Sequence, residues 1–142
     1  MGNEKQLPVD NEYVIMRSRR TEMYTALFYY DKNGNSEIVD YLDALKVSGM
    51  TSKTARINRT KILAYIGALE QHGTRIGMPI VRHIDGDIWD LRPLANRIFF
   101  FYWRNDKFVL LHHYTKKSQK TPPGEIERAR AEVKDYRERH GE

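Results

Sequence analysis

Two unbroken apolar runs, Ile98 to Trp103 and Phe108 to Leu111, stand on either side of Asn105-Asp106-Lys107. Neither approaches the ~20 residues that a bilayer-spanning helix needs. Their aromatic and β-forming residues, broken by turn formers, read instead as a hairpin of two strands, Arg97 to Arg104 and Phe108 to Lys116. Just upstream, Ile88-Trp89-Asp90-Leu91-Arg92 alternates, so that Trp89 and Leu91 point one way and Asp90 and Arg92 the other. Three strands in succession with short connections make an antiparallel meander, and the rest of the chain has to pack around it.

The flanking segments supply the rest. Tyr24 to Asp31 is rich in β-forming residues and ends at Lys-Asn-Gly-Asn, a turn signal. Ser36 is placed to cap a helix with Ile38, Val39, Leu42 and Leu45 at helical spacing, closed by Ser48-Gly49. Thr51 or Ser52 caps a second helix running to about Gln71, with Ile62, Leu63, Ile66 and Leu69 inward and Gly73 at its end. Thr121-Pro122 reads as an N-cap with proline at the first helical position. It opens a last helix to about His140 whose narrow apolar stripe is Ile126, Ala129, Val133 and Tyr136. The predicted order is β-α-α-β-β-β-α. This is an α+β fold with a small, mostly antiparallel four-stranded sheet, two N-terminal helices and a C-terminal helix, the helices gathered on one face.

At 142 residues the chain fits one domain of ordinary size. We assign residues 24–142 to that domain and read 1–23, with Pro8 and the Arg17, Arg19 and Arg20 cluster, as an irregular N-terminal arm. With no cysteine, disulfides, thiolate zinc sites and iron–sulfur clusters are excluded. No basic-then-apolar leader is evident, and a reducing cytoplasm is the expected location, without a membrane partner.

The net charge of +5 becomes informative once mapped. Leu91 to Lys120 carries seven Lys and Arg against Asp106 alone, a local +6, so the remainder of the chain sums to −1. The same stretch holds Phe99, Phe100, Phe101, Tyr102, Trp103 and Tyr114. Cations among aromatic rings suit a nucleic acid, whose phosphates attract the former and whose bases stack on the latter, Tyr114 included. They equally suit a solvated basic edge beside an aromatic core. The second helix opens with Lys53, Arg56, Arg59 and Lys61 and no acid, a candidate RNA-binding face or an ordinary solvated one.

Several chemistries lose their supports. No Gly-rich phosphate loop, nucleophile elbow or cysteine nucleophile is present. His83, Asp85 and Asp87 straddle Gly86 and read as turn formers rather than as metal ligands, so neither metal nor cofactor is expected. His112 and His113 titrate in a useful range but point to opposite faces of a strand, so at most one belongs to any one site. There remain Arg92, Arg97, Lys116, Lys117, Gln119 and Lys120, which come together if adjacent strand ends meet beside the last helix. Such a cluster suits RNA cleavage by the substrate's own 2′-hydroxyl, because Lys and Arg can orient the phosphate, neutralise developing charge and move protons. It suits plain phosphate binding as well, and spacing alone does not choose.

The blocks Ile88-Trp89-Asp90-Leu91-Arg92-Pro93, Asn96-Arg97-Ile98-Phe99-Phe100-Phe101, Val109-Leu110-Leu111-His112, Lys116-Lys117-Ser118-Gln119-Lys120-Thr121-Pro122 and Glu125-Ile126-Glu127-Arg128-Ala129 occur in order. Together they resemble the phage-derived branch of the RelE/HigB-like toxins, over about Tyr24 to Arg139. The resemblance implies the toxin of a type II toxin–antitoxin pair. Such a toxin is usually a ribosome-dependent mRNA endoribonuclease that inhibits translation, partnered by a cognate helix-turn-helix antitoxin and acting on the ribosome and mRNA. By the same resemblance Arg92 and Arg97 hold the scissile phosphate, Lys116 and Lys117 supply proton transfer and charge stabilisation, Gln119 and Lys120 contact substrate, and His112 falls in a catalytic block. His113-Tyr114 stands where small and apolar residues are commoner, and the N-terminal arm is extra. Two alternatives stay open: a ParE-like, gyrase-binding toxin without nuclease activity, and a noncatalytic nucleic-acid-binding module.

Overall fold

A computed structural model describes residues 23–142. Except for Met23, the N-terminal arm read from the sequence lies outside the described residues. The elements are β1 (Thr25–Phe28), α1 (Glu37–Ser48), α2 (Lys53–His72) followed by a 3-10 turn (Gly73–Ile76), β2 (Val81–Asp85), β3 (Ile88–Leu91), β4 (Asn96–Arg104), β5 (Lys107–Thr115) and α3 (Pro123–His140).

The helices begin and end where local chemistry directs. Ser36 and Ser52 adopt extended backbone and accept hydrogen bonds from the Val39 and Ala55 amides, so each satisfies a donor that its helix leaves open. Gly73 closes α2 at φ 67°, and a Cβ there would stand 2.7 Å from the Tyr24 ring, so both backbone angle and space call for glycine. The third helix differs in detail from expectation. Pro122 occupies its cap position and makes no side-chain cap, because Thr121 is turned to Arg82 and Tyr114.

The sheet has five strands in the order β1-β5-β4-β3-β2 rather than four. The added strand is β2, which pairs antiparallel with β3 from Val81 opposite Leu91 to Asp85 opposite Ile88. β3, β4 and β5 form the expected meander, with Asn105 and Asp106 at φ 51° and 60° in the hairpin turn between the two long strands. Two consecutive left-handed residues match the twist of a tight hairpin, and Asn and Asp tolerate that region best. β1 is parallel to β5, Thr25 opposite Lys107 and Phe28 opposite Leu110, and completes one edge of the sheet.

Helices cover both faces of this sheet, not one. Phe28, Ile98, Phe100 and Leu110 meet Ile38 and Leu42 of α1 and Ile62, Ile66 and Leu69 of α2. Leu27, Phe99, Phe101, Val109 and Leu111 meet Ala129, Val133 and Tyr136 of α3 on the other side. The physical reason lies in the runs of β4 and β5: a strand apolar at successive positions has no wet face, so both sides need a cover. Three layers result, with the ends of β3, β4 and β5 opening beside the N-terminus of α3.

Candidate functional site

At that end of the sheet, charged side chains gather on the α3 face. Asp90 and Arg92 share a side, as the alternation of β3 dictates. Arg82 joins them because β2 sets it opposite Asp90. On the next strands Arg97 is opposite Tyr114, whose ring lies on Phe99 at 5.7 Å. Asp90 is fully buried, and Arg92 Nη1 donates to both of its carboxylate oxygens at 3.0 and 3.2 Å. Burial pushes the Asp90 carboxyl above the usual range, and the pull of Arg92, Arg82 and Arg97 offsets this only in part. The pair is thus a charge-compensated unit rather than a source of net stability.

Arg97 is nearly buried as well. Its Nη1 donates to the carbonyls of Leu94 at 2.9 Å and Asn96 at 2.8 Å. Burial, with the neighbouring Arg92 charge, pulls its guanidinium below the usual range. Arg82 Nη2 donates to Thr121 Oγ1 at 3.0 Å, and Thr121 hydrogen-bonds Tyr114, which ties the loop between β5 and α3 to the cluster. Burial pushes the Tyr114 phenol upward, so the ring enters this site as a neutral hydroxyl.

The lysines stand around this core. The Lys116 amide donates to the Ala95 carbonyl at 2.8 Å, so the residue follows β5 directly past the loop that Arg97 holds. Lys116 is half-buried, while Lys117, Gln119 and Lys120 are exposed. Three guanidiniums around one carboxylate leave an excess of two positive charges before these lysines are counted. The arrangement therefore attracts an anion and can present several donors to phosphate oxygens.

His112 occupies a different place. A register shift between Ile98 and Phe100 inserts an extra residue on β5, so Leu111 and His112 both reach the α3 side. The His112 ring is fully buried, with Glu132 Oε1 2.6 Å from Nδ1 and Glu125 Oε1 2.9 Å from Nε2. Both ring nitrogens face carboxylate acceptors, and neither is offered to a substrate. The catalytic assignment of His112 gives way to that of a clamp between β5 and the first turns of α3. His113 turns to the opposite face, where its ring stacks on Tyr41 at 4.2 Å, and burial lowers its pKa.

The basic start of α2 does not form one cationic face. Lys53 and Lys61 are exposed, but Arg59 is buried and its Nε donates to the Leu42 carbonyl at 3.2 Å. Arg56 Nη1 donates to the Gly49 carbonyl at 2.6 Å. These two arginines staple α2 to α1 and its turn. Around the β2–β3 turn, His83 Nε2 contacts the Gly86 carbonyl at 2.8 Å, while Asp85 and Asp87 pair with Arg130 and Arg137 of α3.

Sequence reasoning missed Arg82, Thr121 and the burial of Asp90. Each follows from β2: once Val81 to Asp85 is a strand, Arg82 falls opposite Asp90, and the charge of Asp90 has a reason to be inside.

A family model described as phage derived protein Gp49-like (DUF891) matches residues 40–134, which take in Arg82, Asp90, Arg92, Arg97, Tyr114 and the lysines after β5. A search of curated proteins found no match. No helix among the described residues is long and apolar enough to cross a membrane.

Proposed function

Because the chain belongs to the family of phage-derived Gp49-like proteins, we propose that it is the toxin of a type II toxin–antitoxin pair and a cytoplasmic mRNA endoribonuclease that works on the ribosome. A helix-turn-helix antitoxin is its proposed partner. The observation that carries this reading is the cluster of Arg82, Arg92 and Arg97 around buried Asp90, next to Lys116, Lys117 and Lys120, whose side chains have no partner among the described residues.

In the proposed reaction Arg92 and Arg97 hold the scissile phosphate. The 2′-oxygen of the substrate attacks phosphorus, its proton passes to a basic group, the bond to the 5′-oxygen breaks, and that oxygen takes up a proton. The products are a 2′,3′-cyclic phosphate and a 5′-hydroxyl. Lys116 and Lys117 are the proposed proton carriers and neutralise charge that develops on the phosphorane. Gln119 and Lys120 steady the strand, and Tyr114 offers a ring edge and a hydroxyl beside it.

One observation favours a noncatalytic grip instead: Arg92 is engaged by Asp90, Arg97 by backbone carbonyls, and His112 by two glutamates, so the best-held groups carry no free acid or base. End-group analysis decides between the two readings. A programmed ribosome complex is given mRNA whose 2′-hydroxyl is replaced by hydrogen at the cleaved position. Cleavage of the ribose substrate to a cyclic phosphate, with none of the deoxy substrate, supports the nuclease. Binding without cleavage of either supports the grip, and cleavage of the deoxy substrate refutes 2′-oxygen attack.

A further inference from the structure

The loop that positions Arg97 has a second side. Leu94, Ala95 and Asn96 form one wall of a cavity of about 220 Å³ that is closed by Tyr41 of α1, by Thr54, Ile57 and Asn58 of α2, and by Thr115 at the end of β5. The cavity is smaller than the ~300–1,000 Å³ typical of a drug-sized ligand, which leaves room for one planar ring system. Its floor is a closed ring of hydrogen bonds. Tyr41 donates to Asn96 Oδ1 at 2.9 Å, Asn96 Nδ2 donates to Asn58 Oδ1 at 2.7 Å, and Asn58 Nδ2 donates to Tyr41 at 3.1 Å.

That network leaves defined capacity unused. Asn58 has a second amide hydrogen and the Tyr41 oxygen a second lone pair, and the hydroxyls of Thr54 and Thr115 stand at the rim. The flanks, by contrast, are apolar: Ile57 is 47% and Leu94 49% exposed, high for side chains of this type on a small domain. Leu94 also sits at φ 58°, a left-handed backbone that a leucine rarely adopts, and the Arg97 guanidinium holds its carbonyl there. The same few residues thus aim a cation at one side of the loop and an aliphatic side chain at the other.

We propose that this cavity is a nucleobase subsite, in which a base adjoining the phosphate on the arginine cluster lies between Ile57 and Leu94 and is read at its edge by Asn58, Thr54 and Thr115. The subsite rests on the reading of the arginine cluster as a phosphate site. It gives the protein a means of preferring one base next to the bound phosphate, which the cations themselves cannot supply because every nucleotide carries the same phosphate. The exposed Lys61, one turn further along the same face of α2 as Thr54, Ile57 and Asn58, marks the direction in which the strand continues.

The test uses the full chain and short fluorescent RNA oligonucleotides, each of a single base type, together with an abasic oligonucleotide of equal length. The abasic strand reports the phosphate site alone. The expected result is that one base type binds about tenfold or more tightly than the abasic strand, as a stacked and edge-read base does. Ile57→Ala and Thr115→Val, both at solvent-facing positions, should remove most of that preference while leaving abasic affinity unchanged. Equal binding of all base types and the abasic strand by the wild-type chain, or full retention of the preference in both variants, overturns the subsite. Failure of the abasic strand to bind at low salt refutes the phosphate site beneath it, and the subsite with it.

Discussion

Replacing Asp90 by Asn tests the arginine cluster most directly. The substitution keeps shape and one acceptor but removes the charge that Arg92 faces at 3.0 and 3.2 Å. Three guanidiniums then share a nearly closed space without a carboxylate. Removing one partner of a buried ion pair costs about 3–5 kcal/mol, and the 12% exposure of the Arg92 side chain puts this case at the lower end, about 3 kcal/mol. For a domain of this size that is a fall in Tm of about 12 °C. The RNA response should move the other way. With Asp90 neutral, Arg92 is free to give its whole charge to a phosphate, so single-stranded RNA should bind more tightly at low salt. The slope of log affinity against log salt should steepen by up to about 0.7, the increment of one phosphate contact. The double variant Asp90→Leu/Arg92→Met removes both charges and should recover stability to within about 1 kcal/mol of wild type, because a buried pair contributes little net stability. Its salt slope should be shallower than wild type. Thermal unfolding and fluorescence anisotropy read these two quantities separately. If D90N melts with the wild-type chain, the pair does not hold the site together. If D90N and the double variant share one salt slope, Arg92 touches no phosphate.

Lys116→Ala should lower mRNA cleavage by about 10²-fold with little change in Tm, as loss of one charge-stabilising group does; full activity would remove Lys116 from the chemistry. His112→Leu takes away the ring nitrogens that the Glu125 and Glu132 carboxylates contact, and should cost about 2–3 kcal/mol in a denaturant titration. An inactive His112→Leu variant of wild-type stability would restore a catalytic role to that ring. His113 has its pKa lowered by burial, so the unfolded chain binds a proton there more readily than the folded one. The stability this contributes is complete above the ordinary imidazole value near 6.5 and is lost as pH falls below it. In His113→Phe, which keeps a ring against Tyr41, the loss of Tm between pH 7 and pH 5 should be smaller than in wild type; an equal loss would assign the acid sensitivity elsewhere.

Much of the fold could be read locally. Ser36, Ser52 and Gly73 mark helix ends because capping and left-handed termination depend on a few adjacent atoms. The pairing of Asp90 with Arg92 on one side follows from strand alternation. What escaped depends on how one segment meets another. Val-Arg-His-Ile-Asp has no pattern that declares a strand, and becomes β2 only because β3 offers it an edge to pair with. Arg59 belongs to a run that looks solvated, yet its guanidinium reaches a carbonyl on the preceding helix. The position of His112 was hidden for the same reason, since a bulge is a mismatch between two strands and neither strand carries its mark alone. The narrow stripe on α3 also understated that helix, which covers a full face of the sheet because β4 and β5 leave it no polar side.

The parallel pairing of β1 with β5 bears on when the protein can first act. β1 is the first described element to leave a translating ribosome, but its hydrogen-bonding neighbour is the last strand to emerge. The α1–α2 hairpin closes through near neighbours and can form early, whereas β1 waits through some eighty residues of synthesis, the separation of Thr25 from Lys107. The cation cluster waits further, until Tyr114 and Thr121 have followed Arg97. A chain that has not yet reached Thr121 therefore carries the arginines without the frame that converges them, and the proposed activity on translation would wait until β5 and the loop after it have emerged.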